Sequence, residues 1–215
     1  MSMVFRAIKA ALINNILGPA EAGRFKTVGF QRQVKSAEET LDNSRLVQVY
    51  YSSGNFPKSS GRLNGPVQHD ISFSVDLTVS AAAAGDLATI NNISSTPVQV
   101  AAALLAFQEA AGRADDLLDD LFDIVYQILM DARNQDLGLP SGTVANRWVD
   151  QLNKDDPVPS GEYVILTGNM RLTCRAAEEV PGDIGVVGDK TFDFNIELEN
   201  DDVQKSGKAG KLGGV

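Results

Sequence analysis

The sequence predicts an α+β domain: a largely antiparallel, mixed β-sheet packed against one long helix and an N-terminal helix. Three observations carry this prediction. In HDISFSVDLTVS (69–80), Ile71, Phe73, Val75, Leu77 and Val79 alternate with Ser72, Ser74, Asp76, Thr78 and Ser80. Such alternation makes a strand with one buried and one polar face, as antiparallel sheets have. In ADDLLDDLFDIVYQIL (114–129), Ala114, Leu117, Leu118, Leu121, Val125, Ile128 and Leu129 recur at helical spacing. The order of elements is helix, strands, long helix, strands, which sets helices on one face of the sheet.

Taken in order, residues 3–17 read as an amphipathic helix with Val4, Ile8, Ala11, Leu12 and Ile16 on one side, stopped by Gly18-Pro19. FKTVGFQRQV (25–34) reads as a strand interrupted by Gly29, and RLVQVYY (45–51) as a β-branched, aromatic strand. SSGNFPKSSGRLNGP (52–66) is a long loop whose only charges are Lys58 and Arg62. A plain surface excursion and a docking arm both fit it. After strand 69–80, Thr96 is placed as N-cap, Pro97 as the first helical residue and Gln99 as the capping-box partner. That helix is expected to run to about Ala111, break or reset at Gly112, and finish before Gly138 and Pro140. NRWVDQL (146–152) and EYVILTGNMRLTCRA (162–176) are strands, the second with a bulge expected at Gly168, and 153–161 is the loop between them. TFDFNIELE (191–199) turns Phe192, Phe194, Ile196 and Leu198 to one side, a further strand. The last stretch is rich in glycine, with Lys205, Lys208 and Lys211 and few large apolar groups, and reads as a flexible tail. The division is therefore a domain over 1–180, a strand extension over 181–199 and a tail over 200–215.

Composition narrows the function classes. Acids outnumber bases by 28 to 19, for a net charge of −9, so a general affinity for nucleic acid is not expected. A single cysteine, Cys174, excludes an internal disulfide and suits a reducing compartment. The N-terminal helix carries Arg6 and Lys9 and lacks a continuous apolar block, and no run is long enough to span a membrane. A soluble chain made in the cytoplasm is the expectation.

The acidic run contains D-D-x-x-D, the spacing that holds magnesium against a diphosphate in isoprenoid synthases. On a helix, Asp115, Asp116, Asp119, Asp120 and Asp123 share one side and the leucines the other. A prenyl-transfer site needs carboxylates that point into an apolar cavity, so the expectation is a solvated outer face and no metal. Like charges four residues apart cost an isolated helix about 0.2–0.5 kcal/mol a pair. A helix restart after Gly112 would offset part of this by placing aspartates in a first turn.

His69 is the only histidine, which excludes Cys/His zinc sites and the further ligands that an HD phosphohydrolase needs. The elbow G-x-S-x-G is absent. The glycine runs 182–190 and 206–214 do not open a helix, as a phosphate cradle must. Cys174 is expected as a small core residue, while Trp148 suits core or interface equally. No catalytic residue, metal ligand or cofactor is expected.

The amphipathic N-terminal helix, RLVQVYYSSGNFPKSSG, the strand GPVQHDISFSVDLTVSA, the helix ADDLLDDLFDIVYQILMDA and the late strand EYVILTGNMRLTCRAAEE follow one another in an arrangement seen elsewhere. Over residues 1–178 the chain resembles the tail terminator (tail completion) proteins of long-tailed bacteriophages, the family of the lambda minor tail protein U. The resemblance rests on arrangement rather than on a signature motif. It implies a virion protein of the tail and neck, made in the host cytoplasm, that acts as a structural subunit and not as an enzyme. Its form would be a homo-oligomeric ring, usually a hexamer, that ends the tail tube protein and presents a surface to the head–tail connector or neck proteins. DNA would pass through the lumen without specific binding, and no membrane would be involved. Another neck, connector or tube subunit is the alternative, followed by a metal-dependent protein that uses Asp115–Asp123. Within a ring, that face is a candidate for the lumen and equally for the outer surface. Lys58, Arg62 and the tail lysines are candidate contacts to acidic neighbours.

Overall fold

In the computed structural model, residues 4–27, 44–55 and 66–179 are described. Helix α1 (Val4–Ala11) runs on through a π-helical stretch (Leu12–Leu17) into a last short turn, α2 (Gly18–Ala20). Gly18-Pro19 therefore does not stop this helix, contrary to the sequence expectation. A proline ring inside a regular α-helix clashes with the carbonyl four residues back. Here the preceding turn is widened, with Gly18 N–H donating to Ile13 O, and a Cβ on residue 18 would lie 2.9 Å from that oxygen. The wide turn also sets Leu12, Ile13, Ile16 and Leu17 together against the core.

Among the described residues the sheet has six strands. β1 (Lys26–Thr27) pairs in parallel with β2 (Ser44–Asn55), and every other pairing is antiparallel. Strand β3 (Pro66–Ala82) lies between β2 and β6 (Tyr163–Glu179), with Val75 opposite both Val49 and Met170. β4 (Val144–Lys154) and β5 (Val158–Ser160) follow one another along the far side of β6. The order is β1-β2-β3-β6-β4, so the expected α+β class and largely antiparallel sheet are present.

The alternating stretch behaves as its pattern requires: Ile71, Phe73, Val75, Leu77 and Val79 are all 0% exposed. Burying each such side chain stabilises the fold by about 1.5–3 kcal/mol. Over this face lie the N-terminal helix, whose Phe5 ring stacks 4.7 Å from Tyr51, and α4 (Pro97–Met130). The capping box at Thr96 and Gln99 forms as predicted.

Several boundaries differ from the sequence reading. β2 continues through residues 52–55, beyond a bulge between Tyr51 and Ser53, and β3 begins at Pro66, so both ends of the loop expected over 52–66 are strand. Residues 158–160, read as loop, form β5, and 87–91 form a short helix, α3 (Leu87–Asn91), capped by Asp86. α4 is one helix of 34 residues, unbroken at Gly112. Gly168 is not a bulge, since it pairs in register with Leu77 and Lys154 and the bulges of this pair lie in β4. A Cβ on Gly168 would stand 2.5 Å from Cζ of Phe122, so glycine is needed for the close approach of α4. Most of the strand expected over 25–34, loop residues Lys58 and Arg62, strand 191–199 and Lys205, Lys208 and Lys211 lie outside the described residues.

Candidate assembly surfaces

α4 carries two different outer surfaces. Over the sheet, Ala114, Leu118, Leu121, Val125 and Leu129 are 0% exposed, and all five aspartates point away from them into solvent. At about 100° per residue the carboxylates span an arc of about 140°, in the order Asp115, Asp119, Asp123, Asp116, Asp120. Both flanks of the arc are tied to the sheet. Lys154, at the end of β4, places its Nζ 2.8 Å from Asp115 and 2.6 Å from Asp119. Its pKa is raised by its hydrogen bonds to those two carboxylates. On the other flank Arg45 of β2 lies 3.4 Å from Asp120. Asp116 and Asp123, along the crest, have no cation at ion-pair distance among the described residues.

This geometry replaces the helix-dipole account of the acidic run. With α4 unbroken, the aspartates sit in mid-helix, where the dipole gives no help. Repulsion is relieved instead by one lysine and one arginine from strands on either side of the helix. The Lys154 ammonium also occupies the place between Asp115 and Asp119 that a bound cation would take. Among the described residues no group of three His, Cys, Asp or Glu is arranged to hold a metal ion.

The second surface is the start of α4. The end rung of β3 and β6, Ala82 opposite Tyr163, meets this helix at Arg113, whose guanidinium donates to Ala82 O. From Pro97 to Ala106 only Ala103 is buried, against the turn at Gly85, where a Cβ would lie 3.2 Å from Ala103 Cα. Val98, Leu104 and Leu105 are 79%, 47% and 56% exposed, and Ile93 in the preceding turn is fully exposed. Residues 87–108 contain no Asp, Glu, Lys or Arg, in a chain that is 22% charged.

The C-terminal end of α4 is held by a group that sequence reasoning missed. Arg147 of β4 is buried and donates to Leu129 O at 2.6 Å, to Asp131 O at 2.6 Å and to Asn134 O. Leu129 O is one of the carbonyls that a helix end leaves without an intrahelical partner, while Asp131 O and Asn134 O also accept from the backbone N–H groups of Asn134 and Leu137. Burial lowers the Arg147 pKa from its ordinary value. β4 does not alternate in burial, so no local period marked Arg147 as inward.

The face of the sheet away from the helices is polar and cross-linked. Asp76 accepts from Tyr50, from Ser74 at 3.1 Å and from Asn169 at 2.5 Å. Thr173 and Arg171 reach Asp150 at 2.9 and 2.5 Å, and Arg175 reaches Asp70 at 2.8 Å. A shallow concavity of about 340 Å³ lies over Asp76 and Asn169. Within it Tyr50, Ser74, Asp76 and Asn169 are engaged with one another across three strands, and Thr167 donates to Asp155. His69 is buried within β3, and Cys174 is buried in the core with its thiol pushed up to about 12 by desolvation. Trp148 is half-buried beneath the Arg175 guanidinium, 5.7 Å from the ring centre. No helix among the described residues is long and apolar enough to cross a membrane.

Neither a protein-family model nor a curated protein matches this chain.

Proposed function

We propose that the chain is a structural subunit of a bacteriophage tail, a terminator whose copies form a ring, usually of six. The ring ends the tail tube and joins it to the head connector. The observation that carries this reading is the crest of α4, where Asp116 and Asp123 stand exposed while the three flanking carboxylates are paired with two cations from the sheet. Repeated around a ring, such a crest gives a negative wall, which repels phosphates and lets DNA slide rather than adhere. The order of elements on which the resemblance to tail terminators rests is also the order in the fold. No membrane takes part in this role, and no cofactor is needed for it: its work is done by surfaces.

Electron microscopy of the purified chain tests the reading. Rings are expected, and particles assembled without the chain should carry tails of uncontrolled length. Rings stacked into long tubes would instead indicate a tube subunit. A chain that stays monomeric, and whose deletion leaves tail length unchanged, contradicts the proposal.

A further inference from the structure

One edge of the sheet lies open beside exposed apolar groups. Strand β4 ends the sheet, and no strand among the described residues pairs along its outer side. Such an edge turns backbone N–H and C=O groups outward without strand partners. On its helix face Leu152, opposite Met170, is 51% exposed. Tyr126 of α4 is 47% exposed. It lies seven residues beyond Asp119, hence within about 20° of it around the helix. Asp119 is a partner of Lys154, so Tyr126 stands on the flank of α4 that looks over β4. The two side chains also share a level along the sheet. Phe122, one turn before Tyr126, meets Gly168, and a helical turn matches the about 6.6 Å from Gly168 to Met170, opposite Leu152. Two of the seven large apolar side chains exposed among the described residues therefore border one unpaired strand.

We propose that residues 191–199 of the same chain pair on this edge, parallel to β4, as one further strand. Three observations select that occupant. The first is its period. In TFDFNIELE, Phe192, Phe194, Ile196 and Leu198 fall on one side, to cover Tyr126 and Leu152, while Asp193, Asn195, Glu197 and Glu199 fall on the side that continues the polar face of the sheet. The second is where the described chain ends. It leaves β6 at Glu179 beside the start of β4, where Ala177 N–H donates to Thr143 O at 3.0 Å. From there residues 180–190, with Pro181, Gly182, Gly185 and Gly188, have to pass only two strand spacings, about 10 Å, to reach the far side of β4. A strand that starts at this end runs with β4, and its nine residues match β4 from Asn146 to Lys154 in length. The third is the opposite edge, which has a nearer claimant in the residues that follow Thr27, because β1 already runs parallel with β2 there. This docking does not depend on the assembly reading above.

Amide hydrogen exchange on the full chain tests the proposal. The amides of 191–199 are expected to be protected, together with the outward amides of β4. Ile196→Asp should remove the protection of both and leave that of β3 in place, since opening of one edge strand is a local event. Exchange of 191–199 at the rate of an unstructured chain overturns the proposal. Protection of 191–199 with β4 unaffected by Ile196→Asp overturns the choice of edge. A second readout uses no buried charge. Cys174 is the one cysteine of the chain and is buried, so Leu152→Cys supplies a single accessible thiol. A benzophenone attached there is expected to cross-link to residues 191–199 and to give a product of one-chain mass on a denaturing gel. Cross-links that miss 191–199, or a product of two-chain mass, overturn docking within the chain.

Discussion

At the scale of single residues, two positions show how closely the helix layer is fitted to the sheet. Gly168 faces Phe122, and a methyl group there would meet ring carbons at 2.5 and 2.8 Å and the Asn153 carbonyl at 3.1 Å. Overpacking of this kind costs about 1–3 kcal/mol. Gly168→Ala is therefore expected to lower stability by that amount in denaturant melts, and Phe122→Leu in the same chain should recover part of the loss. An unchanged midpoint would show that α4 does not sit where the structure places it. Asp131 makes a separate electrostatic prediction. The side chain and backbone N–H of Arg133 hold its carboxyl near 2, below the usual 3.8. A depressed value means that the pairing contributes above the ordinary value and is lost as pH falls through the lowered one. Carboxyl NMR shifts should place the Asp131 midpoint near pH 2, and a midpoint near 3.8 would show that the Asp131–Arg133 turn is not formed.

At the scale of elements, α4 is the member that organises the molecule. Its capping box, its buried stripe and its outward aspartates were legible in the sequence, because each is a local pattern with a helical period. Its continuity through Gly112 was not. Glycine lowers helix propensity by roughly 0.5–1 kcal/mol relative to alanine, but the burial of Ala110 and Ala114 on either side overrides that preference. A Cβ at Gly112 would meet nothing within 4 Å and the residue is exposed. Gly112→Ala is thus expected to raise stability by about 0.5–1 kcal/mol, read from chemical denaturation. A loss would indicate a kink that the helix needs. The same contrast holds elsewhere. Strand β3 announces itself because its alternation is complete, whereas β5 is three residues with two exposed and has no period to detect. Gly168 is ambiguous in sequence because a bulge and a close helix approach ask for the same residue, and only the partner, Phe122, decides between them. The pairing of Lys154 with Asp115 and Asp119 joins residues nearly 40 apart in sequence, which no local pattern can reveal.

At the scale of the whole molecule, one long helix presents both a carboxylate crest and an uncharged arm, and the sheet behind it is closed by its own polar network. The acidic run that matches a magnesium-binding motif by letter is, in space, a surface braced by Lys154 and Arg45. Neither surface encloses a reacting group, and the ring proposed above is what would give the carboxylate crest a use. The central claim is therefore that the working form is a closed ring. Its most direct test is the molar mass of the purified full-length chain in solution, measured by light scattering across a wide concentration range at physiological salt. A fixed multiple of the 23.0 kDa chain, six if the resemblance to tail terminators holds, is the predicted result. A mass of one chain at every concentration would contradict it.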